Sequence, residues 1–243
     1  MLKPVEKQRV ADEIVDQLRS LILTGTYPPD SKLPPERELA KKLQVNRASL
    51  REALKKLEHM GLVTIRQGDG TRVANFMETA GIELVTHLIP LAQTDYPGII
   101  REVLEFRRIY ALALARLAAE RCEPADLQRL REIAERARDE SLRQVEVFLL
   151  DFEFYMALAV AAKNRVMGLL VNRLREAVKS FAAVLADVIV SPETAREHHR
   201  DLLAALADHD VGRAVKLTDE FMQRGHDHVL EMVGEGRFDM LKR

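Results

Sequence analysis

The 243 residues are 47% hydrophobic and 31% charged, with a formal net charge of −1, a balance that suits one large or two smaller folded domains and excludes a disordered chain. No apolar run approaches the roughly 20 residues that a membrane-spanning helix needs, and the opening stretch from Met1 to Val15 lacks the apolar segment of a secretion signal, so a cytoplasmic protein is expected. The single cysteine, Cys122, has no partner for an internal disulfide or a zinc site and is assigned to helix packing.

The near-zero total conceals an asymmetry. Residues 1–75 hold 14 Lys+Arg against 10 Asp+Glu, a net +4, and the remainder holds 23 against 28, a net −5. Screening confines charge effects to about 10 Å at moderate salt, so the local excess makes the N-terminal part the one suited to phosphate.

In chain order, Val10, Ile14, Leu18, Leu21 and Ile22 recur at helical spacing and predict a first helix over Lys7 to Leu23, stopped at Gly25. Tyr27-Pro28-Pro29-Asp30 forces a turn, because proline has no amide to donate and restricts the residue before it. A second helix opens at Pro34-Pro35-Glu36 and buries Leu39, Ala40 and Leu43. After Gln44-Val45, Asn46 caps a third helix from Arg47 to Met60, with Leu50, Ala53, Leu54 and Leu57 inside and Arg47, Ser49, Arg51 and Lys55 or Lys56 outside. Two short helices joined by a tight turn, the second basic at its start, form the geometry that lays a helix in the major groove. Past Gly61, Leu62 to Arg66 and Thr71 to Val73 read as strands around the turn Gln67-Gly68-Asp69-Gly70, a wing.

Beyond Asn75 the pattern is wholly helical. Helices are predicted over Glu78 to Leu91, Pro97 to Arg121, Pro124 to Arg138, Val145 to Ala162, Arg165 to Val190, Pro192 to Ala207 and Val211 to Val233, the last capped by Asp210. The fold class is therefore mainly α: an N-terminal winged helix-turn-helix with a small β-wing at residues 1–75, a linker at 76–84, and an all-α helical bundle at 85–243. No Ser/His/Asp ordering, phosphate-binding loop or complete metal quartet supports an enzyme.

The ordered motifs Pro34-Pro35-Glu36-Arg37-Glu38-Leu39-Ala40, Val45 to Leu54, Gly61-Leu62-Val63 and Gly68-Asp69-Gly70-Thr71 resemble the winged-helix domain of GntR-family transcriptional regulators. Glu105-Phe106-Arg107, Asp151-Phe152-Glu153-Phe154-Tyr155, the Asn164 break, and His199 leading to Ala205 and Asp210 resemble the FadR-type (FCD) effector domain of that family. The run from Asn75 to Gly81 is similar to the interdomain linker of its fatty-acyl-CoA-responsive members.

The resemblance implies a homodimer on a palindromic double-stranded operator, with DNA affinity changed by a small acidic metabolite in the bundle. Fatty acyl-CoA is the first candidate, and a sugar acid or dicarboxylate the second. DNA contact is expected from Arg37, Asn46, Arg47, Ser49 and Arg51, with Arg66, Gly68 and Thr71 in the wing; arginine forks suit guanine edges or phosphate oxygens. Asp69 at the wing tip is acidic where some relatives are basic, which shifts wing contacts to backbone amides, Arg66 and Arg72.

Effector contact is expected from Arg107, Asp151, Tyr155 and His199. Many FCD domains bind a divalent metal through one Asp and three His; Asp151 and His199 fall on that pattern, but Tyr155 and Phe221 occupy the other two positions, so no metal or other cofactor is expected. His226 and His228 lie further along the last helix and are read as surface residues. Phe152, Tyr155, Met156, Met167 and Phe181 suit either an apolar ligand or plain core, and Arg107 either an effector anion or an ion pair with Asp151 or Glu153. A metal-responsive regulator and a helical enzyme with an accessory DNA-binding domain are the rival readings.

Overall fold

The computed structural model describes residues 7–92, 94–173, 175, 178 and 191–234, and the chain divides into two compact units, Met1–Tyr96 and Pro97–Arg243.

The first unit opens with α1 (Lys7–Leu23), whose buried face is Ala11, Ile14, Val15, Leu18 and Ile22. Val10 and Leu21, expected inside, are 39% and 37% exposed, because Ala11 and Val15 centre the buried stripe with Ile14, Leu18 and Ile22 and leave those two at its edges. The helix stops at Gly25, which takes a positive φ of 75°. α2 (Glu36–Lys42) starts after Pro35, whose carbonyl accepts from the amides of Glu38 and Leu39, and it buries Leu39 and Ala40. α3 (Arg47–His59) is capped by Asn46, whose Oδ1 accepts from the Ser49 amide at 2.8 Å. Leu50, Ala53, Leu54 and Leu57 fill the space between α3, α1 and α2.

β1 (Val63–Arg66) and β2 (Gly70–Val73) form an antiparallel hairpin with Val63 opposite Val73 and Arg66 opposite Gly70. The segment before α2 runs along β2 and joins it by an isolated bridge, Lys32 opposite Arg72: Asp30 N and Leu33 N donate to the carbonyls of Val73 and Thr71 at 3.0 and 2.9 Å, and Val73 N donates to Ser31 O at 2.9 Å. The wing is thus anchored along one edge to the loop that enters the helix-turn-helix.

The single helix expected over Glu78 to Leu91 is instead four short pieces: α4 (Phe76–Thr79), a 3₁₀ turn at Ile82–Leu84, α5 (Val85–Leu88) and a 3₁₀ turn at Ile89–Leu91. Extended backbone at Ala80 and Gly81 ends the first piece, and Pro90 withholds an amide from any longer helix. Phe76, Leu84, Leu88 and Ile89 are buried, and the Tyr96 hydroxyl donates to Leu23 O at 2.7 Å, so the segment to Tyr96 returns to α1 within the first unit.

The second unit comprises α6 (Ile99–Arg121), α7 (Pro124–Arg136), α8 (Gln144–Ala161), a helical run over residues 165–173 (α9), α10 (Pro192–Ala207) and α11 (Val211–Gly234). Local chemistry sets the breaks. Asp126 accepts from the Glu123 amide before α7, Asn164 Oδ1 accepts from Val166 and Met167 N before α9, and Ser191 Oγ accepts from Thr194 N before α10. Asp210 Oδ1 accepts from the Arg213 amide at 2.9 Å, the cap expected for α11.

α6 packs along α11 and against α8, and α10 lies against α7, α8 and α11. Leu114, Leu130, Phe154, Leu158, Leu202 and Leu206 are fully enclosed. Cys122 is buried with its S–H directed at Leu206 O, 3.4 Å away, in the packing role expected for it. Among the described residues no helix is long and apolar enough to cross a membrane.

Candidate nucleic-acid interface and buried polar cluster

In the first unit, Arg37, Arg47 and Arg66 are exposed, and among the described residues no carboxylate pairs with them. Arg51 sits one turn after Arg47 on α3, its side chain 64% exposed, and its Nε donates to Glu36 Oε2 across 2.8 Å. That bond holds the Arg51 side chain over the junction of α2 and α3. Lys56, further along α3, binds Asp12 of α1 at 2.7 Å and Glu52 at 3.3 Å, and these carboxylates push its pKa upward, the Asp12 hydrogen bond most. It serves to join helices.

Three of the residues expected at the DNA also have a local structural role. Ser49 is only 3% exposed, on the inner face with Ala53, and Thr71 is 8% exposed on the buried side of β2. Each is small enough to fit where its segment turns inward. Asn46 spends its side-chain oxygen on the helix cap, leaving its amide NH₂ for a ligand. Gly68 remains exposed with a φ of 82° and open space around it, so turn geometry is what requires glycine there.

The wing tip departs from expectation more sharply. Asp69 pairs with both Lys32 and Arg72, with Arg72 Nε at 2.9 Å, and Arg72 Nη1 also donates to Asp30 O at 3.1 Å. The Arg72 hydrogen bond, followed by that of Lys32, holds the Asp69 carboxyl down at about 2. Of the two wing arginines only Arg66 is therefore unengaged among the described residues.

In the second unit, three helices bring polar side chains to one buried place, and a fourth, α11, adds an aromatic ring. Asp151 on α8 receives His199 Nε2 at 2.9 Å on Oδ1, and Arg107 Nη2 from α6 lies 3.8 Å from Oδ2. The alternative Arg107 partner, Glu153, instead binds Arg136 at 2.9 Å. Burial alone would push the Asp151 carboxyl up, but the His199 hydrogen bond and the His199 and Arg107 charges hold it below its ordinary value.

The Tyr155 hydroxyl lies 2.9 Å from His198 Nε2, and Phe221 of α11 stacks on the His198 ring at 4.1 Å between centroids, 3° from parallel. Burial, then the nearby His199, pushes His198 down to about 3, so it is a neutral imidazole at ordinary pH. Burial, with Asp151 adding to it, also raises the Tyr155 phenol well above its usual value. Among the described residues, the buried His199 Nδ1 and Thr218 Oγ1 find no hydrogen-bond partner.

Three of the four residues expected to meet an effector, Arg107, Asp151 and His199, thus form one chain of contacts, and Tyr155 stands one helical turn from Asp151, bound to His198. Composition gave no reason to single out His198. Its signal was the His198-His199 doublet inside an otherwise apolar face: neighbours on a helix point about 100° apart, so both are buried only where α10 is enclosed on two sides. Phe154, fully buried and stacked on His199 at 4.1 Å, takes the place expected for Phe152, which is half-buried with Met156 and Met167. Phe181 lies outside the described residues. His226 is half-buried and His228 exposed on α11.

Comparison with known proteins adds to this geometry. Residues 10–73 match the bacterial regulatory proteins of the gntR family, and residues 102–224 match the FCD domain. The HTH-type transcriptional regulator Mce2R of Mycobacterium tuberculosis is 31% identical over 232 residues, 96% of each chain. The fatty acid metabolism regulator protein of Edwardsiella ictaluri is 34% identical over 171 residues, 70% of each chain. A solved structure of Lar from Listeria monocytogenes, 16% identical, superposes with a TM-score of 0.58 over 96% of this chain and 100% of that one, a likeness of fold.

Proposed function

This chain belongs to the gntR family of bacterial DNA-binding transcriptional regulators and carries its FCD effector-binding domain, and from that premise we propose that a small acidic metabolite bound in the second unit sets its affinity for DNA. The observation that carries this reading is Arg107. Its guanidinium lies near Asp151 only at 3.8 Å, beyond hydrogen-bond distance, and among the described residues it makes no hydrogen bond, so its donors are free for a carboxylate or phosphate.

Fatty acyl-CoA is the first effector class and an organic acid the second. Relatives named as fatty acid metabolism regulators, at 34 to 36% identity over 63 to 70% of this chain, favour the first. The regulator acts as a homodimer on a palindromic operator, since two-fold pairs of recognition helices read half-sites about one helical turn apart. Effector binding changes the DNA affinity by favouring one dimer geometry over another. It works in the cytoplasm, where its DNA is.

We assign it no resident metal and no catalysis. A phenol held protonated and a phenylalanine occupy two of the four family ligand positions, and both are committed to His198, which leaves Asp151 and His199 as a pair rather than a donor set.

Thermal shift of the full chain with long-chain acyl-CoA, free CoA, sugar acids and dicarboxylates tests the reading, because a ligand that binds only the folded state stabilises it by about 2.7 kcal/mol at a hundredfold excess over Kd. Acyl-CoA is expected to raise the midpoint and Arg107→Ala to abolish the rise. A rise with organic acids alone moves the assignment to the second class, and stoichiometric zinc or nickel in the purified protein overturns the metal-free reading.

A further inference from the structure

We infer that Asp69 is a specificity-determining residue of the DNA reader: by engaging Lys32 and Arg72 at the wing tip, it withholds two cations from sequence-independent phosphate binding. The geometry is on the wing itself. Lys32 and Arg72 face one another across the isolated β-bridge that joins the 30–33 segment to β2. The Asp69 carboxylate receives both, Arg72 on Oδ2 and Lys32 on Oδ1. All three side chains are between one third and one half exposed, so the group lies where a duplex has access to it.

A phosphate that approaches either cation competes with Asp69 for it. Cations that neutralise phosphates act on any sequence, and they set the salt dependence of binding, each contributing about 0.9 to the slope of log K against log salt. An acid that occupies two of them lowers this indiscriminate part of the affinity and leaves base contacts from α3 untouched. Specificity is the ratio of the two affinities, so it rises.

The wing does not need Asp69 for its pairing. The hydrogen bonds Asp30 N to Val73 O, Val73 N to Ser31 O and Leu33 N to Thr71 O, together with the β1–β2 ladder, hold the hairpin through the backbone. Replacement of the carboxylate therefore frees the cations without unfolding the wing.

The experiment measures the full chain on a random-sequence duplex of about 25 base pairs, with salt varied from about 0.05 to 0.2 M, so that no operator has to be known. Asp69→Asn is expected to tighten this binding about eightfold near 0.1 M salt for each cation released, and to steepen the salt slope by about 0.9 to 1.8. Asp69→Glu, which keeps the carboxylate, is expected to restore the wild-type slope. Adding Lys32→Gln and Arg72→Gln to Asp69→Asn is expected to remove the gain.

Unchanged or weaker binding by Asp69→Asn at the wild-type slope overturns the inference and leaves Asp69 a structural link. A gain that persists in the triple variant overturns it too, since loss of a repulsive charge then accounts for the effect. Binding of the duplex by the wild-type chain is the separate control for DNA recognition.

Discussion

His199 and Asp151 meet at 2.9 Å in the interior of the helical unit, His199 at 1% and Asp151 at 7% exposure, with Arg107 approaching the second carboxylate oxygen. A buried carboxylate of this kind is tolerated because its partners offset the loss of hydration, and removing one member strands the others. Asp151→Ala leaves the His199 Nε2 and the Arg107 charge without a counterpart. The expected loss of stability is about 3 to 5 kcal/mol, read from the midpoint and slope of urea unfolding. A loss below about 1 kcal/mol would mean that water already shares the site.

The same cluster predicts acid sensitivity. His198 stands at about 3 in the folded chain against an ordinary value of 6.5, so between those values the unfolded chain binds a proton that the folded one does not. Stability from this source is fully present above about pH 6.5 and drains away as pH falls toward 3, by up to roughly 1.4 kcal/mol per pH unit. The lowered Asp151 carboxyl adds a loss of the same sign at the lower end of that window. Unfolding free energies measured at about pH 7, 6 and 5 are expected to decline in the wild type and to decline less in His198→Gln. Equal declines would place the acid sensitivity elsewhere.

The extent to which this architecture was legible in the sequence follows from how local each signal is. Gly25, the Asn46 cap, the Gln67 to Gly70 turn and the Asp210 cap act over a few residues, and the elements they bound appear where those residues stand. The misread stretch, Glu78 to Leu91, carries apolar residues at spacings that also suit a helix; extended backbone at Ala80 and Gly81 and the proline at 90 break it, and the bond from Thr79 to Gly61 O, a tertiary contact, ties its first piece to the turn after α3. At the sites the division is similar. Arg107, Asp151 and His199 were recognisable as charges in apolar helices, whereas the burial of Ser49 and Thr71 and the capture of Lys32 and Arg72 by Asp69 depend on segments distant in sequence coming together.

One such tertiary contact is testable at the end of the recognition helix. Gly61 has a φ of 72°, and a side chain there would run into the backbone carbonyl of Thr79, whose hydroxyl donates back to Gly61 O at 2.7 Å. Gly25 has a comparable φ of 75° with open space around it. Gly25→Ala is expected to cost only the backbone term, about 1 to 2 kcal/mol, and Gly61→Ala that term plus displacement of α4. Urea unfolding of the two variants compares them directly; equal losses would remove the close approach of Thr79 as the reason for glycine at 61.

The recognition helix itself gives the last prediction. Arg47 opens α3, exposed and without a carboxylate partner among the described residues, and Arg51 lies a turn later, steadied by Glu36. Helix-turn-helix readers place this first stretch of the second helix against base edges, where one arginine fork is worth about 1 to 3 kcal/mol of discrimination. With an operator obtained by selection from a random duplex library, Arg47→Ala and Arg51→Ala are each expected to weaken binding by about that amount while leaving the effector-induced thermal shift unchanged. Glu36→Gln loosens Arg51 without removing it, so its effect should fall on operator affinity and leave the salt slope near the wild-type value. Ser49→Ala is the internal control: its side chain is enclosed by α3's own neighbours, so its operator affinity should match the wild type. Full operator affinity in both arginine variants would exclude the start of α3 as the reading surface, and a loss in Ser49→Ala comparable with theirs would mean that the helix turns a different face to the groove.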